Sequence, residues 1–400
     1  MVHLLSAIVA AMVVVLSLLG LFYCLQLLLA ILPVRGRELR PMVYGERGRL
    51  AVIIPAHDEG EGILPILSML KGQLRPGDKL VVVADNCSDD TAAQARSVGA
   101  IVVERRDEAR RGKGYALDFG IRYLDSDAPD MVVFFDADSM IEADTLDVLV
   151  SHCYSLGRPI QGKHVMLSVE GARIDAPVAS FGHLVKNDVR LLGLRKLGLP
   201  SHITGSGIAC PWVVIRDADL AHSHAAEDKK LGLDLTQAGH PPYYCREASI
   251  WAAAPFSAEG TRTQRERWER GHLSLVRIAP KYLRAALCKR DLGLFMLALD
   301  IAVPPMFLLI FLLAAAAIMA GGLAFLGGWV LPIWIASVTL VCVVALTLLA
   351  WWRYGREVLP ARLLPFLVHF IWSKIAVYSR GPFRSSTSQW IRTDRSRTGN

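Results

Sequence analysis

The chain has 400 residues, of which 53% are hydrophobic, with a mean hydropathy of +0.36 and a formal net charge of +7. This length allows two or three domains, and the hydropathy is too high for a purely soluble enzyme, with the excess lying at the two ends. No nucleic-acid-reading motif accompanies the basic excess, so nucleic acid is not an expected partner. The seven cysteines show no CxxC spacing, which fits unpaired thiols in a reducing compartment.

In chain order, residues 4–32 come first and carry no charge. A helix of that length, rising about 1.5 Å per residue, exceeds the ~30 Å hydrocarbon core of a bilayer. A cleaved signal peptide has an apolar core of only about 7–15 residues behind basic residues, so a retained transmembrane helix is expected. Arg35, Arg37, Arg40, Arg47 and Arg49 follow it. By the positive-inside rule they put the N-terminus outside and residues 48–272 in the cytoplasm, on the inner face of the plasma membrane.

Within 48–272, the runs 50–55, 80–84, 101–104 and 131–135 are short and rich in Val and Ile, and helices are expected at about 61–73, 89–99 and 113–124. This alternation indicates an α/β domain whose parallel sheet is covered on both faces. Ligands on such sheets bind beyond the carboxyl ends of the strands. The polar clusters His57-Asp58-Glu59, Asp85-Asn86-Cys87-Ser88 and Asp136-Ala137-Asp138 all fall there. Neither GxGxxG nor GxxxxGK[ST] is present, so a dinucleotide oxidoreductase or a P-loop ATPase is not expected.

Asp136 and Asp138 follow a buried strand, and alternation along an extended segment would put both on one side. Two hard oxygen ligands suit Mg²⁺ or Mn²⁺, which keeps open positions for phosphate oxygens. A solvated acidic turn is the alternative. Asp85 and Glu59 are placed to accept a hydrogen bond from a nucleobase N–H; an Asx turn or helix cap fits Asp85 equally. Arg110-Arg111-Gly112-Lys113-Gly114 offers cations and flexible backbone before a helix, either for phosphate or as an exposed basic turn. Glu227-Asp228 supplies a candidate general base for an acceptor hydroxyl, or the acidic first turn of a helix. Gln264, Arg267 and Trp268 begin a basic amphipathic stretch that suits a site or a membrane surface. The stretch 167–196 is expected as a pocket-shaping loop.

Residues 273–298 are read as an interfacial amphipathic segment, and 299–322 and 328–352 as two further spans split by glycine pairs. Residues 361–379 are apolar but contain His369 and Lys374. An interfacial or re-entrant helix there keeps the basic tail, 380–400, in the cytoplasm. The spans lack ionisable residues across 301–352, which argues against a transporter or a nucleotide-binding scaffold.

Taken in order, IPAHDE (54–59), VADNCSDDT (83–91), RRGKGYALD (110–118), FFDADS (134–139), GSG (205–207), AED (226–228) and QRERW (264–268) resemble family 2 glycosyltransferases. The likeness is to the membrane-embedded branch with cellulose, hyaluronan and chitin synthases. It implies a GT-A fold flanked by transmembrane helices and a hexosyltransferase that uses a nucleotide-sugar, expected to be a UDP-sugar. By the same resemblance Glu59 and Asp85 contact the uridine, Lys113 lies near the diphosphate, and Asp136 and Asp138 bind diphosphate and a Mg or Mn ion. Asp228 is then the base, while Glu227, Gln264, Arg267 and Trp268 line the acceptor and diphosphate side. One base without a second nucleophile implies a single inverting displacement. Expected acceptors are lipid-linked or polysaccharide, in exopolysaccharide, cell-surface polysaccharide or glycolipid synthesis, with membrane lipids and polysaccharide-export proteins as partners. A processive synthase that extrudes a β-linked chain is the alternative. Two departures weigh against it: Ala226 stands where processive synthases have Thr, and three spans make a poor channel. Trp390 and Thr393 fit a gating segment or an interfacial anchor.

Overall fold

The structure, a computed structural model, describes residues 1–33, 47–168, 175–224, 226–253 and 258–366, with backbone alone at a few of these positions. It opens with the long apolar helix α1 (Val2–Ile31). The catalytic half then alternates β1 (Leu50–Ala56), α2 (Leu64–Lys71), β2 (Lys79–Asp85), α3 (Thr91–Ser97), β3 (Ile101–Arg105), α4 (Lys113–Leu124) and β4 (Met131–Phe134). Next come β5 (Ser139–Ile141), α5 (Thr145–Leu156), β6 (Ile160–Leu167), α6 (Asp175–Leu184), α7 (Arg190–Lys196), β7 (Ile208–Pro211) and α8 (Trp212–Ile215). The remainder is α9 (Glu227–Gln237), β8 (Tyr243–Ala253), α10 (Ala258–Lys289), α11 (Leu292–Ala302), α12 (Met306–Phe325) and α13 (Leu331–Ala350).

The described strands form one eight-stranded sheet in the order β3-β2-β1-β4-β7-β6-β8-β5. β1 pairs in parallel with β2 and β4, and β2 with β3, whereas β7 runs antiparallel to both β4 and β6. The side-chain period of two explains why β1 and β2 are apolar throughout. Val52, Ile54 and Val82 face α2 and its neighbours, while Ala51, Ile53, Val81 and Val83 face α4 on the other side. Each such Val or Ile, fully buried, contributes roughly 1.5–3 kcal/mol to holding the layers. Gly120 lets α4 settle onto the sheet: a Cβ there would come to 3.0 Å from both Ile53 and Val83.

A third core joins α1 to α12 and α13 and to α6 and α7, through Val13 and Leu27 of α1 with Leu309, Leu313 and Val343. Three helices, Val2–Ile31, Met306–Phe325 and Leu331–Gly355, are long and apolar enough to cross a membrane. Gly193 of α7 lies so close to the Gln26 carbonyl of α1 that no side chain fits between them. Gln26, inside the apolar helix, is fully buried and gives its Nε2 to Asp300 while its Oε1 accepts from Arg190 Nε at 2.8 Å.

Several bounds differ from those read in the sequence. The stretch 167–196, expected as a loop, is mostly helical, with a π turn at Val185–Val189 between α6 and α7. The boundary expected at 272–273 falls inside α10, which runs unbroken from the catalytic half. A span beginning at 299 would include Asp300; instead Asp300 lies in the last turn of the separate helix α11, and the next span starts at Met306. Pro304 and Pro305 cause the break, because proline cannot donate to a preceding turn. Of 361–379 only a short 3-10 turn, Ala361–Phe366, is described; the remainder, the tail 380–400 and the Trp390–Thr393 segment lie outside the described residues.

Candidate active site

The site is built where β4 ends and β5 begins. Asp136 and Asp138 lie on a tight turn, closed by Ser139 N–H donating to the Asp136 carbonyl at 3.1 Å. The extended geometry expected for this motif is therefore absent. Ala137, buried at 4% exposure, anchors the turn, and the carboxylates on either side are half-exposed. The turn is held from below by Ser206: its Oγ accepts from Asp136 N–H at 3.1 Å and shares a 2.7 Å hydrogen bond with Ser139 Oγ. Gly205 and Gly207 flank that serine with φ of +98° and +70°, a left-handed region in which other residues are strained.

Lys113 opens α4 and reaches across to Asp136, forming an ion pair, and donates to the Gly205 carbonyl at 2.7 Å. Its neighbour Gly114 packs directly on the carbonyls of Leu220 and His222, which fixes the helix start. The first turn of α9 brings Glu227 and Asp228 to the same place. A Cβ added at Gly205 would sit 3.6 Å from Asp228 Oδ2, 3.8 Å from Asp136 Oδ2 and 3.8 Å from Lys113 Nζ. Groups from three separate segments thus surround one backbone position.

The charges there are coupled. Desolvation opposes the Lys113 ammonium, but Asp136, Glu227 and Asp228 together hold it above its ordinary value. Desolvation and the nearby Asp228 push Glu227 the other way, up to about 7. Asp228 Oδ1 accepts from the Lys229 backbone N–H at 2.7 Å, leaving Oδ2 directed toward Gly205. Asp136 and Asp138 on one turn are a donor set that fits Mg²⁺ or Mn²⁺, which binds through one or two carboxylates together with phosphate oxygens.

Asp85 ends β2 almost fully buried, at 1% exposure. Its Oδ1 accepts from Arg105 Nη1 at 2.6 Å and Asn86 Nδ2 at 3.0 Å, while buried Oδ2 has no partner among the described residues. The helix-cap alternative does not hold for this residue, since Asp89 accepts from Thr91 N–H at the start of α3. Glu59 follows β1, the neighbouring strand, with its backbone N–H on Thr91 Oγ1 at 2.9 Å. Arg110 and Arg111 lie just before α4 and pair locally with Asp107 and Glu108.

Gln264, Arg267 and Trp268 stand at helical spacing on α10 and so share a face. Gln264 is buried, whereas Arg267 and Trp268 are exposed. Trp268 is linked to the Thr204–Gly205 backbone through two residues that sequence reasoning missed. Its ring lies 5.3 Å from His183, which meets His164 edge-on at 5.8 Å. His164 Nδ1 in turn bonds the Thr204 carbonyl at 2.8 Å, next to Gly205. Burial lowers both imidazoles below their ordinary value. A His on β6 and another on α6 carry no local signal; only tertiary packing joins them.

Comparison with known proteins accounts for this arrangement. The profile of the family described as "Glycosyltransferase like family 2" matches residues 47–271. The 4,4'-diaponeurosporenoate glycosyltransferases of Staphylococcus aureus strains MRSA252 and bovine RF122 / ET3-1 are each 27% identical over 243 residues. That match covers 56% of this chain and 60% of each relative, so this chain spans only part of their length. Among solved structures, the mannosyltransferase PcManGT of Pyrobaculum calidifontis, in complex with GDP-Man and Mn2+, superposes with a TM-score of 0.54 at 18% identity. It covers 92% of this chain and 99% of the other, so the likeness extends beyond the family segment into the apolar helices. The chain belongs to the family 2-like glycosyltransferases and has their GT-A fold, with three helices long and apolar enough to cross a membrane.

Proposed function

We propose that this enzyme transfers a single sugar from a UDP-sugar to a lipid acceptor at the inner membrane, by one inverting displacement. The observation that carries the reading is the convergence of Lys113, Asp136 and Asp228 around Gly205. Asp85, with an unpartnered buried oxygen, receives a base N–H, and Glu59 on the adjacent strand completes the uridine end. Lys113 and the Asp136–Asp138 turn hold the diphosphate, and a divalent cation bound to that turn supplies charge neutralisation for the leaving group. Asp228 removes the proton from the acceptor hydroxyl as it attacks the sugar carbon. Glu227, Gln264 and Arg267 line the acceptor and diphosphate side. Trp268 offers an apolar ring for a sugar or lipid head to stack on.

A lipid acceptor is favoured over an extruded polymer by the packing of the spans. α1 lies against α12 and α13 so closely that a Cβ added at Gly20 would come within 2.8 Å of Thr339, so the described helices pack with little space between them. The Staphylococcus aureus relatives, named for 4,4'-diaponeurosporenoate, support transfer of the glycolipid type. Arg353 at the end of the last long helix and Arg356 and Arg362 after it, with Arg47 and Arg49 after the first, support a catalytic domain on the cytoplasmic side. The test is purified protein in detergent with a panel of UDP- and GDP-sugars and a lipid extract. The reading requires nucleotide release that EDTA abolishes and a product one hexose heavier than a lipid. A ladder of many hexoses would favour the processive alternative.

A further inference from the structure

Asp300 stands where the apolar helices meet the catalytic half, and the proposed mechanism gives it no role. It lies in the last turn of α11 with 7% exposure. Its two oxygens face different parts of the molecule. Oδ1 accepts from Gln26 Nε2 of α1 and from Arg190 Nη2 of α7 at 2.6 Å, and Gln26 Oε1 accepts from Arg190 Nε at 2.8 Å. Oδ2 lies 3.0 Å from Nε2 of His202, which is 1% exposed. An ionised carboxylate only accepts, so the proton of that contact sits on His202 Nε2.

A buried ion pair is a weak source of stability, because its desolvation cost can exceed the attraction, and apolar side chains of similar volume often serve as well. What this one adds is direction. His202 belongs to the short non-helical stretch that carries Gly205. Ile203 packs on α9, where a Cβ at Gly232, one turn beyond Asp228, would come to 3.2 Å from the Ile203 backbone nitrogen. Thr204 is tied to the sheet: its N–H donates to Gln161 Oε1 at 2.8 Å, and its carbonyl meets His164 Nδ1 at 2.8 Å. Gly205 follows at φ +98°, with its carbonyl on Lys113 Nζ at 2.7 Å. The sheet therefore holds this stretch at Thr204, and α11 holds it at His202.

We infer that Asp300 is a positioning residue for the donor site: through His202 it fixes the Gly205 carbonyl, which sets the place of the Lys113 ammonium at the diphosphate. This rests on the proposed role of Lys113 and adds to it a residue that touches no substrate. The test is competition binding to the full-length protein in detergent, with UDP plus Mn²⁺ set against uridine, which lacks the diphosphate. GDP and guanosine replace them where the wild type prefers a guanine nucleotide. Expected for His202→Leu is a fall of about tenfold in UDP affinity, the scale of one hydrogen bond to a charged group, with uridine affinity unchanged. His202→Gln, whose amide nitrogen reaches about as far as Nε2, regains most of the UDP affinity. In a Lys113→Met background His202→Leu adds little, because both act on one contact. The control Arg195→Met breaks the pair with Glu247 on the same helix as Arg190 and leaves both affinities unchanged. Where His202→Leu does not fold, His202→Asn, with an amide too short for Asp300, carries the same expectation.

Equal losses for UDP and uridine would make His202 a general support of the fold and overturn the inference. An unchanged UDP affinity would also overturn it, as would a loss that adds fully to that of Lys113→Met. Failure of the underlying reading looks different, because Lys113→Met would then itself bind UDP as tightly as wild type.

Discussion

The two halves of the catalytic domain are built on different principles. From β1 to β4 the sheet is parallel and buried on both faces, and its functional groups stand at strand ends a few residues from an apolar run. From β6 to α10 the candidate groups are scattered over β6, α6, α9 and α10, and meet only through packing. The first half is, in the function proposed, the platform for the nucleotide. The second is moulded against the membrane helices and is where one member of the family would differ from another in its acceptor. Asp228 and Lys113 stand at the seam.

If this division is right, substitutions should separate donor effects from acceptor effects. The largest effect is expected for Asp228→Asn, at the seam: sugar transfer falls by about 10²–10⁴, the usual worth of a general base, while UDP binding persists. Transfer at the wild-type rate would remove Asp228 from the chemistry. Next, Asp85→Asn should raise the donor KM by roughly tenfold to a hundredfold, since it alters a hydrogen bond made by a buried charge. The acceptor KM should not move; an acceptor effect would break the comparison. Trp268→Ala should do the converse, raising the acceptor KM by about three- to tenfold, the scale of one aromatic stacking contact, with donor KM unchanged.

The smallest effect concerns pH. Glu227 is raised from 4.5 to about 7 in the folded protein. Between these values the native state keeps a proton that the unfolded chain has released, so stability falls as pH rises through that window. Unfolding in detergent with EDTA, measured at pH 5 and pH 7.5, should show this loss in wild type and a smaller one in Glu227→Gln. An unchanged slope would mean that Glu227 titrates normally.

The same contrast explains what could be read from the sequence. β1, β2 and β4 were legible because Val and Ile runs end abruptly at Glu59, Asp85 and Asp136, and strand-end chemistry follows from that pattern alone. The Asp136–Asp138 turn was placed correctly along the chain, but its shape depends on Ser206, some 70 residues away. His164 and His183 were passed over because each looks like an ordinary polar residue until the fold gathers them. The helical stretch 175–196 was read as loop because its polar residues, Lys186, Asn187, Asp188 and Arg190, interrupt an apolar face; the partners of Asp188 and Arg190, namely Tyr244, Arg246, Gln26 and Asp300, are distant in sequence. The misplaced start of the second span is different. Pro304-Pro305 was a visible stop signal, outweighed by the apolar count around it.

The central claim is a single displacement, with Asp228 as base and the diphosphate leaving from the Asp136–Asp138 turn. It is tested most directly by the anomeric configuration of the lipid product made from an α-linked, ¹³C-labelled UDP-sugar, read from the one-bond carbon–hydrogen coupling at the anomeric carbon. The account predicts a β-linked product. An α-linked product would contradict it.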